Sequence, residues 1–217
     1  MKNKRSTRMS TETLTMGAVL TAVIVILQYL AVGVRAALPF LTFTISLVLI
    51  PIVIGAAKCG PYMGAWLGFV FGTIVLLSGD ASAFLVIDPL GTIITVLVKG
   101  VACGLAAGFV YSLLEKKQQT VAVYASAVVC PLVNTGVFFL GCVLFFMDTV
   151  AEWAAAAGFG GNVTLYMFVG LAGTNFLIEL LVNVFLSRVI IRILDLKKTS
   201  VAKPCESTDS EQETDEE

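Results

Sequence analysis

Long apolar runs separated by short polar breaks organise this chain. The first run is Leu14–Val34, which contains no charged residue. Ala37–Ala57 follows, also uncharged, with Pro51 near its end. Lys58-Cys59-Gly60-Pro61 predicts a tight turn, because Gly-Pro favours a chain break. Tyr62–Ser78, Pro89–Leu114, Val121–Met147 and Thr164–Leu194 are the remaining runs, the last long enough to emerge from a bilayer as helix. A bilayer core takes about 20 apolar residues in helical form, so the pattern predicts six membrane-spanning helices. Strands are not expected, since the runs exceed ordinary strand length and lack the alternation of a barrel.

Two breaks are longer than the rest. Residues 79–88 predict a polar-bounded loop whose short apolar middle could dip back toward the bundle. Residues 148–163 predict a loop rich in alanine and glycine with a single tryptophan, Trp153. The expected fold is therefore an all-α membrane protein, a six-transmembrane-helix bundle over residues 14–196. Residues 1–13 form an N-terminal segment, and residues 197–217 a charged tail too poor in apolar residues to fold.

Composition supports this placement. Of 217 residues, 58% are hydrophobic and 13% charged, whereas soluble domains carry about 25% charged residues. The length suits one bundle, with no second domain. The start of the chain, MKNKRSTRMS before an apolar run, superficially resembles a signal peptide. That run outlasts the roughly 7–15 residues of a signal's apolar region, so it reads as a retained first span.

The formal net charge of −1 conceals a segregation. Seven of the fifteen acids lie in residues 206–217, and four of the fourteen bases lie in the first eight residues. Lys2, Lys4, Arg5 and Arg8 precede the first run, Lys58 joins the second and third, and Lys116 and Lys117 join the fourth and fifth. Arg188, Arg192, Lys197 and Lys198 end the sixth. The opposite side carries Arg35, Asp80, Asp88, Asp148 and Glu152. By the positive-inside rule both termini are cytoplasmic, which an even number of spans requires.

Candidate chemistry is sparse. The chain has no histidine, so the commonest general base and metal ligand are missing. Cys59, Cys103, Cys130, Cys142 and Cys205 show no paired CxxC spacing and read as buried or reduced thiols. No metal-ligand cluster or carboxylate pair at helical spacing appears, and Lys99 has no serine neighbour for a dyad. An intramembrane enzyme is therefore hard to build.

Small residues recur at four-residue spacing: Gly64, Gly68 and Gly72 on the third helix, Gly100, Gly104 and Gly108 on the fourth. Such stripes let backbones approach closely within a bilayer, and ordinary packing inside the bundle suffices to explain them. Ala18 and Ala22, flanked by Thr15 and Thr21, form a similar stripe on the first helix.

Polar residues at membrane depth are expensive and point to function. Lys99 lies ten residues into the fourth helix, with Thr95 and Thr92 one and two turns above it. Asn134 and Thr135 sit near the middle of the fifth. Asn175, Glu179 and Asn183 share one face of the sixth. At about 1.5 Å per residue, Lys99, Asn134, Asn175 and Glu179 fall at comparable depths and could line one outward-opening cavity. A structural Lys99–Glu179 ion pair with asparagines bonding between helices is the competing reading. Phe84, Phe138, Phe139, Trp153 and Tyr166 could stack on a flat solute or serve only as packing.

Several segments carry a family resemblance. IPIVIGAAKCGPYMGAWLGFVFG (Ile50–Gly72), DPLGTIITVLVKGVACGLAAGFVY (Asp88–Tyr111), PLVNTG (Pro131–Gly136) and NFLIELLVNVFLSRVIIRIL (Asn175–Leu194) resemble the substrate-binding S components of energy-coupling factor (ECF) transporters. The likeness extends over nearly all of residues 10–195. It implies a multi-pass subunit of a bacterial cell membrane that binds a vitamin-like solute from outside. It also implies a pocket built by the fourth to sixth helices, capped by the loops after the first (here short, Arg35–Phe40), third and fifth.

Ala18 and Ala22 match the family's Ala-xxx-Ala spacing for docking a transmembrane coupling subunit. Release by toppling of the loaded subunit in the membrane is implied by the resemblance alone. The chain has no GxxxxGK[ST] phosphate loop, so it is expected to hold no cofactor itself. ATP would be used by two partner ATPase subunits. Lys99, Thr95, Asn134, Asn175 and Glu179 are the expected substrate-binding residues. Riboflavin, folate and pantothenate all fit loosely. The alternative is a self-sufficient secondary transporter or small channel with Glu179 as its ion or proton site, although no inverted repeat is evident.

Overall fold

A computed structural model describes residues 11–37, 47–171 and 173–201. Its elements run α1 (Thr11–Ala37), α2 (Leu49–Cys59), α3 (Pro61–Leu77), α4 (Ser82–Leu85), α5 (Pro89–Leu114), α6 (Gln119–Phe145), α7 (Met147–Ala156), α8 (Val163–Tyr166), a π-helical turn (Met167–Leu171) and α9 (Gly173–Val201). Among the described residues every regular element is helical. Most of the expected N-terminal segment, part of the loop after the first helix, and the tail beyond residue 201 lie outside them.

The helix ends follow local chemistry. Gly60 adopts φ +89° between α2 and α3, a conformation that favours glycine, and Pro61 opens α3 where no N–H is needed. Asp88 caps α5, accepting the Gly91 N–H at 3.1 Å, with Pro89 at the first helical position. A capping carboxylate of this kind satisfies one of the helix's orphan donors.

The expected spans agree unevenly with the helices. The fourth coincides with α5, the fifth with α6 to within two residues, and the first lies inside α1. Three helical segments are long and apolar enough to cross a membrane: Thr11–Val34, Pro89–Leu114 and Gln119–Phe145. A fourth exists if the pair 163–171 and 176–192, bent by 42°, forms one broken span. The helices α2 and α3 are apolar but shorter, and residues 38–46 of the second expected run are not described. Residues 148–163, expected as a loop, largely form α7. Its alanines favour helix, and Val150 and Ala154 are buried.

The core is built on close backbone contact. Helices α3 and α5 run antiparallel with their glycines in register. A Cβ on Gly68 would collide with the Gly100 carbonyl oxygen, and one on Gly100 with that of Gly68. Gly64 and Gly104 oppose each other in the same way, and a Cβ on Gly72 would come within 2.9 Å of the Val96 carbonyl. Backbone oxygens cannot step aside as flexible side chains can. The glycine stripes are thus spent on packing inside the bundle.

On its other side α5 packs against α6, and α6 against α9; α1 leans on α2 and α3. Ile24, Ile52, Leu67, Phe71, Cys103, Val123, Cys130 and Ile190 belong to the central apolar cluster. Outward positions are apolar as well, among them Ile26, Trp66, Phe109, Leu140, Leu181 and Phe185. Such a surface suits hydrocarbon rather than water.

Candidate functional site

A cavity of about 200 Å³ opens where α1, α3, α5, α6, α9 and the α3–α5 connection converge. Helix α5 supplies Thr92, Thr95, Val96 and Lys99, the first three buried on its inward face. Helix α6 supplies Asn134, Thr135 and Phe138, and α9 supplies Phe176 and Glu179. Gln28 enters from α1, Phe71 and Val75 from α3, and Asp80, Ala81 and Phe84 from the connection; Phe146 and Leu171 complete the wall.

Four of the five expected site residues are therefore brought together: Lys99, Thr95, Asn134 and Glu179. The side chain of the fifth, Asn175, lies outside the described residues. Asn183, the third member of the α9 stripe, does not line the cavity. It is fully buried one turn beyond Glu179, and neither amide atom has a hydrogen-bond partner.

Lys99 is half-buried, and its ammonium lies between two rings. Its Nζ is 5.4 Å from the Phe138 centroid and 6.0 Å from that of Phe71. Cation–π attraction contributes about 0.5–2 kcal/mol, less than the cost of removing an ammonium from water. The two rings flank the charge at the cavity wall.

Thr95 and Asn134 each carry an unsatisfied buried oxygen. They are 6% and 7% exposed, and Thr95 Oγ1 and Asn134 Oδ1 have no hydrogen-bond partner. An unsatisfied buried group costs about 1–3 kcal/mol. Thr95 is wedged against Gly141 of α6, where any larger residue would run into it. Thr92, by contrast, is satisfied locally, its hydroxyl donating to the Asp88 carbonyl at 2.7 Å.

An aromatic cluster closes one side. Phe84 of α4 meets Phe138, Phe146 and Trp153 edge-on, with centroids at 5.7, 5.0 and 5.3 Å. Of the rings expected to stack on a solute, Phe84 and Phe138 line the cavity. Trp153 supports Phe84 without lining the cavity, while Phe139 and Tyr166 pack in the same apolar cluster as Phe84 and Phe138 without lining it either.

Sequence reasoning overlooked Gln28 and Asp80 as site residues. Gln28 is 2% exposed and donates its Nε2–H to Asp80 Oδ2 at 3.1 Å. The available signal was a lone amide in the middle of an apolar run. Ala18 and Ala22 lie away from the cavity, exposed on the outer face of α1. Among the described residues no three His, Cys, Asp or Glu side chains cluster as metal ligands, and Cys59, Cys103, Cys130 and Cys142 are free thiols.

No curated protein and no solved structure matches the chain. A family match does exist, to "ECF transporter, substrate-specific component", and it covers residues 12–191. That span takes in every helix contributing to the cavity. The chain belongs to the substrate-specific components of the ECF transporters, membrane subunits that determine what such a transporter carries.

Proposed function

We propose that this chain is the solute-binding subunit of an ECF-type ABC importer. In this reading it captures a vitamin-like small molecule outside the cell and delivers it inward. Residues 14–196 form six membrane-spanning helices, residues 1–13 and 197–217 are cytoplasmic, and the protein resides in a bacterial plasma membrane. Lys99, Thr95, Asn134, Asn175 and Glu179 contact the solute. A coupling subunit docks at Ala18 and Ala22, and two ATPase subunits use the ATP.

The observation that carries this reading is the unfinished polar set within the cavity. Thr95 Oγ1 and Asn134 Oδ1 are buried without hydrogen-bond partners in a wall that also carries the Lys99 ammonium, flanked by two ring faces. Groups left in this state in an apolar setting are completed by a ligand or by ordered water.

The test is binding and transport with the purified chain. The chain alone should retain a small molecule, identifiable by mass spectrometry, yet drive little uptake in vesicles until its partners and ATP are supplied. Uptake by the lone chain that follows pH or membrane potential would instead identify a secondary transporter working through Glu179.

A further inference from the structure

A second space, a groove open to the outside, borders the cavity between α6 and α9. Among the described residues it is lined by Leu132, Thr135, Gly136 and Phe139 of α6, Phe168 of the π-helical turn and Phe176 of α9. Thr135 and Phe176 also line the cavity, so these two residues stand between the two spaces. We propose that the groove is a binding site for one acyl chain of a membrane phospholipid. The site goes beyond the importer reading and does not rest on it.

Depth is the first argument. Helix α6 is long and apolar enough to cross a membrane, and Leu132 is its middle residue. Phe139 lies two turns further on, about 10 Å along the axis. With the helix centred in the bilayer, both fall within the roughly 15 Å half-thickness of the hydrocarbon core. The groove is continuous there with the apolar outer face, where Leu132, Leu140, Phe168 and Val169 are exposed.

Chemistry is the second. Thr135 carries the one polar side-chain group among these lining residues. Water finds few partners in such a place. An extended peptide would leave backbone N–H and C=O groups unsatisfied at this depth.

Shape is the third, and it disfavours a partner helix. Close helix packing in a membrane uses small residues four apart. Gly136 is flanked at that spacing by Leu132 and Leu140, both exposed. Phe139 meets Phe168 edge-on beside it, with centroids at 5.0 Å. A Cβ on Gly136 would meet nothing within 4 Å, so a slot stays open between bulky neighbours. A flexible hydrocarbon chain enters such a slot, whereas the two leucines hold a helical backbone away.

The experiment is native mass spectrometry of the full chain, reconstituted with dioleoylphosphatidylglycerol and released into mild detergent. The parent should retain one phospholipid more than Gly136→Leu, whose side chain fills the slot. Gly33→Leu, at an exposed glycine of α1 whose Cβ also meets nothing, should retain as many as the parent. Adding the lipid back to delipidated protein should raise the melting temperature of the parent and of Gly33→Leu about 2–4 °C more than that of Gly136→Leu. Equal retention by the parent and Gly136→Leu overturns the assignment, as does equal loss from Gly33→Leu. Where no lipid survives release, equal melting shifts overturn it. A parent dimer that Gly136→Leu converts to monomer also overturns it, since the occupant is then a second copy. So does loss of a copurified solute, rather than a lipid, from Gly136→Leu, which would make the groove an arm of the solute cavity.

Discussion

Gln28 of α1 and Asp80, beyond the end of α3, are joined by a 3.1 Å hydrogen bond across 52 residues of sequence. This contact ties α1 to the α3–α5 connection, which lines one side of the cavity. The same segment is anchored further along by Phe84, in its aromatic cluster, and by Asp88, which caps α5. This wall segment is therefore fastened to three different parts of the bundle.

Gln28→Leu should loosen that wall segment at its α1 end. The variant removes one donor from Asp80 and should destabilise the fold by about 1–2 kcal/mol. Solute dissociation should accelerate more than association slows. Stopped-flow measurement of both rates checks this, and an unchanged dissociation rate would separate Gln28 from solute retention.

Phe84→Ala should have a related effect through packing. It deletes three edge-on ring contacts and widens the cavity on that side. The expected loss is about 2 kcal/mol of stability, below the 3–5 kcal/mol of a fully buried ring, because Phe84 is half-buried. Phe84→Leu should recover much of the stability. Thermal unfolding of both variants in detergent makes the comparison.

The glycine register of α3 and α5 predicts a sharp contrast between substitutions. Gly68→Ala and Gly100→Ala each drive a methyl into backbone and should destabilise by about 1–3 kcal/mol or more. Gly136→Ala meets nothing within 4 Å of its new Cβ and should be neutral or slightly stabilising, as alanine favours helix. Comparable melting temperatures for all three variants would contradict the packing described.

Thr95→Val and Asn134→Leu should separate stability from binding. Each removes a buried oxygen, Thr95 Oγ1 or Asn134 Oδ1, that has no hydrogen-bond partner. The empty variants should be as stable as the parent, or more so by about 1 kcal/mol, since replacing an unsatisfied group with an apolar one of similar shape relieves its desolvation cost. Solute affinity should fall about tenfold or more. Lower stability in the empty state would assign these residues a structural role instead.

The polar part of the site was legible in the sequence for a physical reason. Lys99, Asn134 and Glu179 interrupt apolar runs, and a membrane makes such interruptions costly enough to be informative. The aromatic part was not. Phe71 is buried at the cavity while Phe69, two residues away, is exposed; lipid and protein interior accept the same side chain, so residue type does not separate them. Nor does local pattern reveal a pairing between Gln28 and a turn 52 positions away. The α5 and α6 boundaries followed from run length and charged ends. The bend after the π-helical turn falls inside one apolar run, where composition carries no mark of it.

Ala18 and Ala22 give the prediction that separates solute capture from delivery. They lie one helical turn apart on the exposed face of α1, next to exposed Leu14, Val19 and Ile26. Gln28 reaches the cavity from the same helix. Substituting both alanines with leucine adds bulk where the described chain has no packing to disturb, so stability should stay within about 0.5 kcal/mol of the parent. Solute affinity of the isolated subunit should be unchanged. A partner helix packing closely against α1 would lose its small-residue contact, and ATP-driven uptake with the coupling and ATPase subunits should drop about tenfold or more. The double variant should also fail to copurify with the coupling subunit, whereas Val19→Ala, at a neighbouring exposed position, should copurify normally. Normal uptake by the Ala18→Leu/Ala22→Leu protein would move the docking surface elsewhere on the bundle. Lost solute binding in the isolated variant would mean that the outer face of α1 and the cavity are coupled through the helix itself, with Gln28 as the connecting residue.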